Sequence, residues 1–210
     1  MGADRITSGS MARASYDSPG ALIADQITGL LGVVTQTQGV VVGTARAANI
    51  PQQTALTAIT TAQNLFTQTL PAGYMNLVGR SIEVKGSVIY STTSTNVATI
   101  TIAIKLGSVT LTTITTAATN TAASSNLPLT FDFILTTVTT GTSGTINAHG
   151  NVTANIGTAA SPNTATYLDT NTGPSSGVDL TVAETLSVTI AASAAVPSAQ
   201  LLTASINVLA

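Results

Sequence analysis

Residues 99–106 read Thr-Ile-Thr-Ile-Ala-Ile-Lys-Leu, a strict alternation with Ile100, Ile102, Ile104 and Leu106 at every second position. Only an extended strand turns this spacing into one apolar and one polar face, because strand side chains alternate sides with a period of two. The same period recurs along the chain. Ser81–Tyr90 sets Ile82, Val84, Val88 and Tyr90 on one face against Glu83 and Lys85 on the other. Leu129, Phe131, Phe133 and Leu135 form another row, followed after the Gly141–Gly144 turn by Ile146, Ala148, Val152, Ala154 and Ile156. Leu65–Leu70 is closed by Pro71-Ala72-Gly73. Gly107-Ser108 joins the 99–106 strand to Val109–Ile114 as a hairpin. Glu184–Ile190 and Leu202–Val208 finish the series.

The pattern predicts an all-β domain over 51–210. It is an antiparallel β-sandwich of eight or nine strands, joined by hairpins and two long loops, Thr116–Asn126 and Gly157–Val178. A jelly roll fits best, since eight strands is its natural number. The polar faces are hydroxylated rather than charged. About 40 of the 210 residues are Thr, while only 7% are Asp, Glu, Lys or Arg, against roughly 25% in ordinary soluble domains.

Residues 1–50 break the pattern. Gly20, Gly29, Gly32, Gly39 and Gly43 interrupt any helix, and short apolar stretches such as Leu30–Val34 and Val40–Val42 lie between them. Two readings fit: an extended arm that lies on a partner, or a first strand after a loose terminus. Six of the fourteen charged residues fall here, and no Lys or Arg follows Lys105. On the arm reading, Arg5, Arg13 and Arg46 are the ionic anchors and Leu30, Leu31 and Val41 the apolar contacts.

The sequence Leu70-Pro-Ala-Gly-Tyr-Met-Asn-Leu-Val-Gly-Arg80, running through Lys85-Gly86 to Tyr90 and later Ile104-Lys105-Leu106-Gly107, resembles the small jelly-roll structural proteins of tailed bacteriophages. Leu186-Ser187-Val188-Thr189 fits their late strand, while Ser108 stands where a second glycine is common. The resemblance covers about residues 54–209. It implies a jelly roll that decorates or cements a capsid, forms a head fibre, or serves in a tail appendage.

Candidate chemistry is sparse. There is one His and no Cys, and no nucleophile elbow, phosphate loop or dinucleotide fingerprint; no enzyme activity, cofactor or metal site is expected. His149 sits on a polar face with Asn147 and Asn151, and the carboxylate nearest in sequence is Asp132. It reads as a surface histidine or as a subunit-interface residue near a trimer axis. Asp169-Thr-Asn171-Thr-Gly173 has the alternate oxygen spacing of a calcium turn, and Asx-turn chemistry explains it equally. Glu83, Lys85 and Lys105 lie on outward positions of strands that could be neighbours. They suggest a cross-strand ion pair or, less simply, a spontaneous Lys–Asn isopeptide. Asn151-Val152-Thr153 is a glycosylation sequon that has meaning only in a eukaryotic secretory context.

A net charge of −2 argues against general nucleic-acid binding. No apolar run approaches the roughly 20 residues a bilayer crossing needs, and the Met1–Thr7 start has no secretory h-region. So few charges leave a monomer prone to association, which predicts burial of outward apolar residues such as Leu201, Leu209 and Ile134 in a homotrimer. The expected function is a capsid decoration subunit on the outer surface of the virion, docked on the major capsid protein by its arm. The alternative is a fibre or tail-tip protein that binds a host receptor.

Overall fold

The structure, a computed structural model, describes residues 45–93, 97–120, 122–170, 173–194 and 198–209. The chain divides into two units, 1–45 and 46–210. The second is the β domain, entered through a strand that begins at Ala45. Twelve strands are described: β1 (Ala45–Ile50), β2 (Leu56–Thr57), β3 (Gln63–Leu70), β4 (Ser81–Thr92), β5 (Ile100–Leu106), β6 (Val109–Thr115), β7 (Ser124–Thr139), β8 (Gly144–Asn155), β9 (Thr164–Leu168), β10 (Ser175–Val178), β11 (Glu184–Ala192) and β12 (Ser198–Val208). There is no helix among the described residues.

The strands form two antiparallel sheets packed as a sandwich. The larger runs β1-β12-β4-β7-β8-β10, with β2 beside β12 and β9 beside β8; the smaller runs β3-β11-β5-β6. From β2 onward the chain crosses between sheets repeatedly: β3 in the small sheet, β4 in the large, β5–β6 in the small, β7 in the large, then β11 and β12 in opposite sheets. Such interleaving of two sheets is jelly-roll connectivity. Strands β8–β10 extend the large sheet beyond β7.

The alternation works as the sequence predicts. Ile82, Val84, Val88 and Tyr90 of β4, with Leu129, Phe131, Phe133 and Leu135 of β7, point inward and are buried. They meet Ile100, Ile102 and Ile104 of β5 and Leu186, Val188 and Ile190 of β11. Phe131 spans the layers, its ring stacked 6.4 Å from that of Phe66 on β3. Room for that ring comes from Gly86, directly opposite Phe131 on β4; a Cβ there would overlap the ring. Buried Tyr90 donates its hydroxyl to the Asn155 carbonyl, and burial pushes the phenol above its usual range. The outer faces are knitted by hydroxyl pairs across strands: Ser81–Thr136 at 2.8 Å, Thr101–Thr115 at 3.0 Å, Thr139–Thr145 at 2.9 Å and Thr153–Thr166 at 2.8 Å.

Three expectations change. The strand count rises to twelve because β1 falls within residues 1–50, β2 has two residues, and β9 and β10 lie in the segment read as the loop Gly157–Val178. In β9 the inward-leaning positions are Ala165 and Tyr167 between exposed Thr164, Thr166 and Leu168, too weak a contrast to signal a strand. Leu201 is core, with 1% of its surface exposed. A bulge between Leu201 and Thr203 inserts one residue and flips the parity of β12, so Leu202 is the residue left outside. Leu209 and Ile134 remain exposed.

Replacing Gly86 with Ala should destabilise the fold by about 1–3 kcal/mol, through overpacking against Phe131. Chemical denaturation measures it, and Phe131→Leu in the same chain should recover part of the loss.

Candidate functional site

Of the residues proposed for the arm, Arg5, Arg13, Leu30, Leu31 and Val41 lie outside the described residues, and Arg46 falls in β1. The chemistry that the structure does place is on the outer face of the large sheet.

Register brings together four side chains from three strands there. Glu83 on β4 lies opposite Asn207 on β12, and Lys85 lies opposite Asp132 on β7. Lys85 Nζ is 2.8 Å from Glu83 Oε1 and 3.4 Å from Asp132 Oδ2, and Asn207 Nδ2 donates to Glu83 Oε2 at 3.0 Å. The Lys85 hydrogen bond is the main force holding the Glu83 carboxyl below its usual range, with burial opposing it and Asn207 assisting. The same bond raises Lys85, against a smaller desolvation effect. The Glu83 carboxylate thus stands between an amine and a carboxamide. At these distances the network is an ion-pair lattice joining three strands. Lys105, expected beside these residues, is on β5 in the small sheet, because consecutive strands β4 and β5 cross between layers.

A trough of about 720 Å³ opens beside this network. It crosses five strands and is lined by Asn49 of β1, Ser205 of β12, Lys85 and Ser87 of β4, Asp132 of β7 and Asn151 of β8. Gly86 and Ala204 contribute to its wall, and the short side chains at Ser87 and Ser205 keep it open. Asp132 Oδ1 is shielded from solvent there and has no hydrogen-bond partner among the described residues.

His149 lies on β8 opposite Ile134, half exposed, with Nδ1 3.3 Å from Asp169 Oδ2. The carboxylate beside it is therefore Asp169 and not Asp132, which faces Asn151 and serves Lys85. Sequence distance hid this pair; the Asp169 amide, bonded to Gly150 O at 3.2 Å, brings the end of β9 to His149. Thr112 of β6 donates to the same Asp169 oxygen at 3.5 Å, and Ser175 donates to Leu111 O at 3.0 Å. A nucleophile would have to sit on the imidazole; here the hydroxyl bonds the carboxylate, so the cluster ties the small sheet's β6 to the β9–β10 extension. In the calcium-like turn, Asn171 and Thr172 lie outside the described residues, and no three His, Cys, Asp or Glu converge among those described.

One end of the large sheet is apolar at its surface. Hydrogen bonds between Gly79 and Thr137 and between Thr137 and Arg80 bring the 77–80 turn to the end of β7. Leu77, Val78 and Val138 are 55%, 63% and 42% exposed. The Leu209 amide bonds Ser81 O at the same end. Four large apolar side chains at one corner, reached from three parts of the chain, suit contact with another surface.

No protein-family profile matches the chain, and no curated protein matches it. Among solved structures, the CBM2 module of the evolved Dit of Lactobacillus casei BL23 phage J-1 aligns over 69% of this chain and 69% of its own length, at 10% identity and a TM-score of 0.28.

Because Glu83 is held below the ordinary 4.5, its contribution to stability is present above that value and lost as pH falls through the lowered one. Thermal melts should fall on acidification below 4.5, and Glu83→Gln should show a smaller acid-dependent fall than the parent.

Proposed function

We propose that the protein is a non-enzymatic virion structural protein, a capsid decoration subunit that assembles as a homotrimer on the outer surface of the particle. On this reading the arm expected over residues 1–50, taken here up to the start of β1 at Ala45, spreads over neighbouring major capsid subunits while the sandwich projects outward. The supporting observation is where the phage-like motifs fall in a jelly-roll connectivity. Leu70-Pro71-Ala72-Gly73 turns from β3 toward β4, with Gly73 at a φ of 71° that favours glycine. Gly79-Arg80 leads into β4, which carries Tyr90 inward. Lys105-Leu106-Gly107 closes β5 at the hairpin.

Two further features favour assembly over a free monomer. The outer faces carry hydroxyls with few ions to resist association. The corner of Leu77, Val78, Val138 and Leu209 gives a second copy something apolar to cover, and Ile134 lies exposed on β7. Many modest contacts repeated by symmetry give a tight hold without any single strong site.

Protein lacking residues 1–44 should remain folded and oligomeric but fail to sediment with particles stripped of it, whereas the full chain should bind them. Truncated protein that still decorates the particles contradicts the arm. Trypsin gives an independent check: cleavage at Arg5 or Arg13 should be rapid in free protein and slowed on the particle.

A further inference from the structure

We infer that the trough on the outer face of the large sheet is a binding site for a neutral carbohydrate chain. Its volume of about 720 Å³ is that of a small-ligand site, which commonly spans roughly 300–1,000 Å³. The chemistry of its wall selects the class of ligand. Asn49 and Asn151 offer amide donors and acceptors, Ser87 and Ser205 offer hydroxyls that serve as either, Lys85 donates and Asp132 accepts. A sugar presents neighbouring hydroxyls that are each donor and acceptor, which is the complement of such a wall. Apolar peptides would leave those groups without partners.

Charge narrows the class further. Lys85, the cation of the trough, is already occupied by Glu83 and Asp132. Phosphate or an acidic sugar would therefore meet a neutral to negative surface. Asp132 adds an acceptor: its side chain is 34% exposed, and Oδ2, 3.4 Å from Lys85 Nζ, keeps lone-pair capacity for a ligand hydroxyl. The side chains also stand on paired strands of one sheet, and the ion pairs to Glu83 and Asp132 hold Lys85 in place before anything binds.

The site uses neither the arm nor the apolar corner, so it extends the capsid-docking role and stands or falls separately from it. The test is an array of neutral and acidic oligosaccharides probed with the labelled full-length protein, followed by titration of the best-binding oligosaccharide. Neutral glycans should bind in preference to acidic ones. Asp132→Ala should weaken the titrated interaction about tenfold. Ser87→Tyr, which fills the trough with a residue that suits a strand and leaves the ion-pair lattice in place, should abolish it. Thr113→Ala, on the exposed face of the small sheet, should bind as the parent does. The inference is overturned if no oligosaccharide binds, if acidic glycans bind best, or if a folded Ser87→Tyr protein, checked by its melting temperature, retains the parent affinity.

Discussion

The sandwich rests on one constraint: a side-chain period of two kept in step across hydrogen-bonded strands. The long strands send most of their Ile, Leu, Val and Phe inward and most of their Thr and Ser outward, so a single slip of register would exchange core for surface. The inward rows of β4, β7, β5 and β11 meet in one cluster, and Phe131 bridges the layers only because Gly86 has no side chain in its way. Where the period is broken, at the β12 bulge, the exchange is visible: Leu201 goes in and Leu202 comes out.

The same constraint explains the low charge. An outer face that lies in every strand opposite a core residue must be polar, but it need not be ionic. Hydroxyl pairs such as Thr153–Thr166 and Ser81–Thr136 contribute cross-strand stabilisation of roughly 0.2–1 kcal/mol each and leave the surface nearly neutral. On the large sheet Lys85 is engaged locally, with Glu83 and Asp132. A surface of this kind offers little electrostatic resistance to contact with other subunits.

How much of this the sequence discloses depends on contrast. β5, with Ile at every second position, and β7, with its Leu and Phe row, are legible at once. β9 and β10 are not, because Ala, Ser and Thr differ too little in polarity to mark a face. The candidate site is legible only in part. Glu83 and Lys85 are evident as outward charges, but which strand lies beside them depends on the crossing between sheets, which removes Lys105 and supplies Asp132 and Asn207. The His149–Asp169 pair and the trough arise from contacts between segments distant in sequence, and no local pattern encodes them.

The proposal of a subunit built to be assembled rests on the jelly-roll connectivity, on turns at the ends of β3 and β5 that resemble those of phage structural proteins, on the apolar corner and on the weakly charged surface. A reconstruction of the phage particle at subnanometre resolution tests that role most directly. Symmetric trimers are expected on the outside of the capsid, with the sandwich outward and residues 1–44 running along the shell. Density for the protein confined to the tail, or its absence from the particle, would contradict it.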